Sequence, residues 1–160
     1  MAEESRQPRI MLVDDEEMVL TSVRAFLSLE TEYEIMTFSN PVEAAERLKN
    51  GGVDVVVSDY MMPHMTGLDL LRRSKELQPE TTRILLTGHA DKQSAIQAIN
   101  EVGLYQYLEK PWDNAQLLLV INGAIERTQL LRRLEEKMSQ LDEAQGQIKD
   151  SQRKLIRAFL

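Results

Sequence analysis

Through residue 112 of this 160-residue chain, short apolar runs alternate with stretches of helical period. Residues 9–13, 33–38, 53–58, 83–87 and 105–109 have the length and the aliphatic and aromatic content of buried strands. Between them, residues 16–29, 41–50, 67–76 and 92–100 space their apolar side chains three and four apart, as a helix with one buried stripe does. A further helix is predicted from residue 114 onward. Five strand–helix units in strict alternation predict a parallel sheet covered by helices, because each strand needs a crossover to re-enter the sheet in the same direction. Local signals support the boundaries. Asn40-Pro41-Val42-Glu43 combines a capping side chain, proline at the first helical position and an acid three residues on, and Asp113-Asn114-Ala115-Gln116 repeats the capping pattern. Gly51-Gly52 ends the second helix, since glycine enters the left-handed region without a Cβ penalty.

The last helix has no obvious stop. From Asp113 to Leu160 there is no proline, and glycine occurs only at 123 and 146. An uninterrupted helix of that length would extend roughly 70 Å at about 1.5 Å per residue. Leu131, Leu134, Met138, Leu141, Ile148, Leu155 and Phe159 keep a three-four spacing along it, with Gln145 and Gln152 at two seam positions. Beyond the globular part such a stripe has no core to cover. A second copy packed in parallel, giving a homodimeric coiled coil, is the simplest partner, and a downstream domain is the alternative. The two glutamines weaken the seam and help to fix its register.

Composition and charge narrow the classes. The chain has no cysteine, no apolar run near the roughly 18 residues of a membrane span, and a polar start without the apolar middle of a signal peptide. A cytoplasmic protein that does not contact membrane is expected. The net charge of −7 is concentrated in the front part, where 19 acids face 11 bases through Trp112, against 7 and 8 from Asp113 on. That balance argues against a nucleic-acid surface, which needs clustered Lys and Arg. Arg132-Arg133 and Arg153-Lys154 are interspersed with acids and read as solvated helix faces.

The candidate chemistry lies at strand ends. Asp14 and Asp15 close the first apolar run, Asp59 the third, Thr87 the fourth, and Lys110 follows the fifth; in a parallel sheet these carboxyl ends lie along one edge. Acids placed there are poorly solvated unless a cation compensates them. A hard divalent ion, Mg2+ or Mn2+, bridging Asp15, Asp59 and the backbone carbonyl of Met61 would keep Asp59 charged and orient it as a nucleophile toward a phosphoryl group. Lys110 would offset charge on the transferred oxygens. Thr87 offers a hydroxyl that can swing to a new acceptor, and Gly88 leaves room beside it. His64 and His89 have no second His or Cys nearby and read as exposed loop residues.

Asp14-Asp15, Asp59 with Met62-Pro63 and Gly67 behind it, Thr87-Gly88 and Lys110-Pro111 together resemble the receiver domain of two-component response regulators, over about residues 8–124. The resemblance implies a flavodoxin-like (βα)5 fold, a doubly wound parallel α/β sheet of order 2-1-3-4-5, with the last helix extended into a coiled coil. It implies Asp59 as phosphoacceptor, Asp14 and Asp15 as magnesium-binding acids, Thr87 as switch hydroxyl, Lys110 as phosphate-contacting lysine, Tyr107 as switch aromatic and a cis peptide before Pro111. It also implies a sensor histidine kinase as phosphodonor. On this reading residues 1–8 are a disordered segment, 9–126 the receiver domain and 127–160 a coiled-coil helix leading to an output domain. A nucleotide cyclase, a cyclic-dinucleotide enzyme or a phosphatase is favoured there over a DNA-binding module. Rival readings are an aspartyl phosphatase of the haloacid-dehalogenase kind, which places an acid two residues after its nucleophile where Met61 stands here, and a structural coil that never takes phosphate. Met61 and His89 each lie two residues past a site residue, flanking the expected path of hydrolytic water, and a bulky Met61 is expected to slow it.

Overall fold

A computed structural model of the protein describes residues 6–145 and 150–159. The strands are β1 (Arg9–Val13), β2 (Glu34–Phe38), β3 (Val55–Asp59), β4 (Thr82–Thr87) and β5 (Gln106–Glu109). The helices are α1 (Glu17–Glu30), α2 (Pro41–Leu48), α3 (Gly67–Leu77), α4 (Lys92–Ala98), α5 (Asn114–Gln145) and α6 (Asp150–Arg157). All strand pairs are parallel and the order is β2-β1-β3-β4-β5, as the alternation and the resemblance imply.

Successive side chains along a strand point to opposite faces, and here both faces are covered. Ile10, Leu12, Val55, Val57, Ile84 and Leu86 meet α1 and α5 on one side. Met11, Val13, Val56 and Leu85 meet α2, α3 and α4 on the other. This two-sided burial is why the strands read as continuous apolar runs, and each fully buried aliphatic side chain contributes about 1.5–3 kcal/mol.

The caps behave as the sequence predicts: Val42 N–H donates to Asn40 Oδ1 at 2.9 Å and Ala115 N–H to Asp113 Oδ1 at 3.0 Å. Several boundaries move. β3 begins at Val55 and takes in Asp59, which pairs with Leu86, so the phosphoacceptor candidate belongs to the strand itself. The fourth helix is shorter than expected: α4 ends at Ala98 and continues as a π turn over Ile99–Gly103, with a 3₁₀ turn at His89–Asp91 before it.

The tail departs most from expectation. Instead of one uninterrupted helix, α5 and α6 are separate elements, and α6 turns back along α5. Arg153 pairs with Asp142 at 2.5 Å, Arg157 approaches Glu135 at 3.8 Å, and Arg127 donates to the Phe159 carbonyl. Gly146, a poor helix former, falls in the sequence between the two helices. The expected seam is divided. Leu131 is buried within the chain itself, whereas Leu134, Leu141, Leu155 and Phe159 are exposed and Met138 is half-buried. Ile148 lies outside the described residues. Contacts between α5 and the body of the protein also continue past residue 126: Thr128 hydrogen-bonds to Thr82 and to the Asp54 carbonyl, and Arg132 to the Val53 carbonyl.

Candidate functional site

β1, β3, β4 and β5 bring the predicted residues to one edge of the sheet. Asp14 follows β1 and is 1% exposed; Asp59 ends β3 and is 6% exposed; Asp15 faces solvent. Carboxylate oxygens of the three lie within 4.8 Å of one another. Main-chain donors fix two of them: Glu16 N–H donates to Asp14 Oδ1 at 2.9 Å, and Tyr60 N–H to Asp59 Oδ1 at 3.0 Å. Lys110 Nζ stands 2.9 Å from Asp59 Oδ1 and 3.8 Å from Asp14 Oδ2.

The loops that deliver these groups are tightly built. Gly67 opens α3 against the end of β3, donating its N–H to the Tyr60 carbonyl at 2.7 Å. A Cβ at Gly67 would stand 2.0 Å from the Asp59 carbonyl oxygen, so no other residue fits without moving the acceptor strand. Across the site, Lys110 N–H donates to the Thr87 carbonyl at 2.7 Å, tying the exit of β5 to the end of β4. The Lys110–Pro111 bond is cis, as the resemblance implies. Trp112 packs against the α1/α5 side of the core where α5 is about to begin.

Electrostatics follow from this crowding. Burial, opposed by the Glu16 N–H and reinforced by the neighbouring Asp59 charge, raises the Asp14 carboxyl from 3.8 to about 6. Burial alone would lower the Lys110 ammonium, but its hydrogen bond to Asp59 and the charges of Asp59, Asp14 and Glu16 outweigh that and raise it. Asp14 Oδ2 is buried with no hydrogen-bond partner. A buried carboxylate oxygen left over in an all-oxygen donor set suits a hard divalent cation, and on that ground the residues present fit one.

Thr87 is fully buried at the end of β4, with its hydroxyl 3.5 Å from the Leu108 carbonyl. Gly88 follows it. Tyr107 packs half-buried on the side of the core covered by α2, α3 and α4. Tyr105, two residues earlier, occupies a different place: its ring centroid lies 6.0 Å from the Arg127 guanidinium, and its hydroxyl would stand 2.7 Å from a Cβ on Gly123. Met61 is 60% exposed beyond Asp59. His64 is exposed in the same loop, with φ at 74°; the His89 side chain is outside the described ones. The amides of Glu16 and Tyr60 were not legible as site groups, because a main-chain donor leaves no mark on residue type.

A family model for the response regulator receiver domain matches residues 10–122. The chain belongs to the receiver-domain family of two-component response regulators. Among curated proteins it is 30% identical over 145 residues to the hydrogenase transcriptional regulatory protein HoxA of Bradyrhizobium diazoefficiens, covering 91% of this chain and 30% of that one. It is 34% identical over 121 residues to HoxA of Cupriavidus necator, covering 76% and 25%. The chain thus spans under a third of these relatives. Both relatives are named as transcriptional regulatory proteins. Among solved structures, the signal receiver domain of an HD domain-containing protein from Pseudomonas fluorescens Pf-5 is 39% identical with a TM-score of 0.75, covering 81% of this chain and 94% of that one. A structure described as adenylate cyclase from Rhodopirellula baltica is 28% identical with a TM-score of 0.79, covering 84% and 98%. Among the described residues no helix is long and apolar enough to cross a membrane.

Proposed function

We propose that Asp59 accepts a phosphoryl group from the phosphohistidine of a sensor histidine kinase, and that the resulting change passes through Thr87 and Tyr107 to α5 and an output beyond it. The observation that carries this reading is the pocket itself: a nearly buried strand-end carboxylate, 2.9 Å from a lysine and clustered with two further acids, one with an orphaned oxygen.

An Asp59 carboxylate oxygen attacks phosphorus as the P–N bond to the imidazole breaks, leaving an acyl phosphate on Asp59 and a neutral histidine on the kinase after proton return from solvent. A Mg2+ or Mn2+ ion held by Asp14, Asp15, Asp59 and the Met61 carbonyl would offset charge on the transferred oxygens. Lys110 neutralises part of the same charge, and its raised pKa keeps it cationic. The Thr87 hydroxyl then turns to a phosphoryl oxygen, and Tyr107 moves into the vacated space. No acid stands two residues after Asp59, where a phosphatase of the haloacid-dehalogenase kind would need one, so the product is a signalling state and not a turnover intermediate. Leu134 and Leu141 on α5 and Leu155 on α6, all exposed, supply apolar surface through which two copies associate in the cytoplasm.

Intact mass after incubation with Mg2+ and a small acyl-phosphate donor tests the reading. One phosphoryl group is expected on the native chain and none on Asp59→Asn; equal labelling of both, or of neither, refutes it.

A further inference from the structure

At the opposite end of β3 from Asp59, a second acid is buried that plays no part in the phosphoacceptor pocket. Asp54 is 3% exposed. Its carboxylate accepts from Arg6 at 2.9 Å, from the Arg9 N–H at 2.7 Å and from Arg132. Its main chain is equally engaged: the N–H donates to the Arg9 carbonyl at 2.9 Å, and the carbonyl accepts from Thr82 N–H at 3.0 Å and from the Thr128 hydroxyl at 2.7 Å. Arg132 also donates to the Val53 carbonyl at 3.2 Å. The segment before β1, β1, β4 and α5 therefore meet on one residue.

The place at which α5 joins this cluster gives it a role beyond stability. α5 starts four residues after Lys110, whose ammonium is in the pocket, and Thr128 and Arg132, hydrogen-bonded to Thr82, Asp54 and Val53, tie its far part to the body of the protein. Leu134 and Leu141, farther on, are 44% and 49% exposed. Between the pocket and Asp54, α5 is seated in the core through Leu117, Ile121, Ala124 and Ile125, so the helix is a rod lying on the sheet whose last hold is at Asp54, and the arm beyond it, which carries α6, is free of the sheet. At about 1.5 Å per residue the first arm, residues 114–132, is roughly 27 Å, and the free arm, residues 132–145, is roughly 20 Å.

We propose that Asp54, with Arg132 and Thr128, is the fulcrum of α5: it pins the helix to the far pole of the sheet, so a rearrangement at the pocket reaches residues 133–145 as a tilt about Arg132. Arg132 and Thr128 are positioning residues for output and take no part in phosphoryl transfer. The proposal rests on the phosphoacceptor reading. Asp54 keeps Arg6 and the Arg9 N–H when Arg132 is removed, so Arg132→Met leaves the acid paired and the fold intact while loosening the outermost hold on the helix.

The chain has no cysteine, so Lys49→Cys and Gln140→Cys, both at exposed positions, give two unique spin-label sites, one on the body and one on the free arm. Inter-label distances are measured with and without Mg2+ and beryllium fluoride, and binding of that acyl-phosphate mimic is followed separately by Trp112 fluorescence. In the native background a narrow distribution that shifts on binding is expected. In Arg132→Met binding is retained, the distribution widens and the shift falls to less than half; Arg132→Lys, which keeps the charge, falls between and serves should the methionine variant fail to fold. The fulcrum is overturned if the native chain binds the mimic without a shift, or if the Arg132 variants shift as far as native. It is equally overturned if they lose the mimic altogether, since the cluster would then act on the pocket itself. Failure of the parent to bind the mimic strikes the phosphoacceptor reading instead.

Discussion

The raised Asp14 carboxyl makes the stability of the metal-free protein depend on pH in a direction opposite to that of most native carboxylates. Ordinary paired acids bind protons more weakly when folded, and stability then grows as pH rises. Asp14 is 1% exposed, beside Asp59 and with one oxygen unpartnered, and it releases its proton at about 6 against an ordinary 3.8. Between those values the folded chain holds a proton that the unfolded chain has lost, so the Asp14 contribution to stability is greatest below about pH 4, falls as pH rises to about 6, and levels off above. At about 1.4 kcal/mol per pH unit, a displacement of about two units corresponds to roughly 3 kcal/mol. Urea denaturation between about pH 4 and pH 7 in the presence of a chelator measures it, with Asp14→Asn as the reference that lacks the group. The difference in unfolding free energy, native minus Asp14→Asn, is expected to fall by roughly 2 kcal/mol across the window, because an unfolded carboxyl is already partly ionised at its lower edge. Saturating Mg2+ favours the ionised carboxylate and is expected to cancel most of the decline. A difference that is flat or rises with pH under chelation refutes the reasoning.

Gly67→Ala is expected to lower the urea midpoint and to slow labelling of Asp59 together, because the new Cβ meets the Asp59 carbonyl at 2.0 Å and shifts the strand end; unchanged labelling kinetics contradict this. Lys110→Met removes a cation 2.9 Å from Asp59 and 3.8 Å from Asp14, so Mg2+ titration is expected to show tighter binding, on the order of ten-fold, while phosphorylation slows. Met61→Asn is expected to shorten the lifetime of the acyl phosphate, followed by intact mass over time, because it opens the exposed side of the site to water; equal or slower loss in the variant removes the idea.

The layout of the sheet and the pocket was legible because each depends on short-range pattern. A buried parallel strand announces itself as an apolar run, and each site residue stands at the end of such a run. The residues that organise the rest depend on partners far along the chain. Asp54 reads as one polar position inside an apolar stretch, and nothing local ties it to Arg132, 78 residues on. Arg83 looks like an ordinary charged residue at a strand entry, yet it is fully buried, donating to the carbonyls of Thr81 at 2.8 Å and Gly103 at 3.2 Å. Burial and the nearby Arg127 lower its pKa to about 10, and it remains a cation. The carbonyl it satisfies at Gly103 closes the π turn after α4, which the three-four spacing did not reveal. The tail shows the converse error. A seam continued on spacing alone treats Leu131 like Leu134, although the first is buried within the chain and the second is exposed.

Under the proposed mechanism, the contacts at the site also indicate which group moves at least cost. Lys110 is bound by an ammonium–carboxylate contact of 2.9 Å and by its own N–H to Thr87 at 2.7 Å, so displacing it would sacrifice a charge-assisted bond and a short main-chain bond. Thr87 gives up only a hydroxyl contact at 3.5 Å, the outer limit of a hydrogen bond. An acyl phosphate on Asp59 offers that hydroxyl a charged acceptor, worth about 1.5–3 kcal/mol against the little it loses. Inverting a 1:99 population takes about 5.5 kcal/mol, so Thr87 alone supplies no more than about half. The remainder has to come from a second group. The Thr87 side chain can turn without breaking the Lys110 N–H bond to its own carbonyl, so the hydroxyl, and not the lysine or the strand end, is the group that moves first.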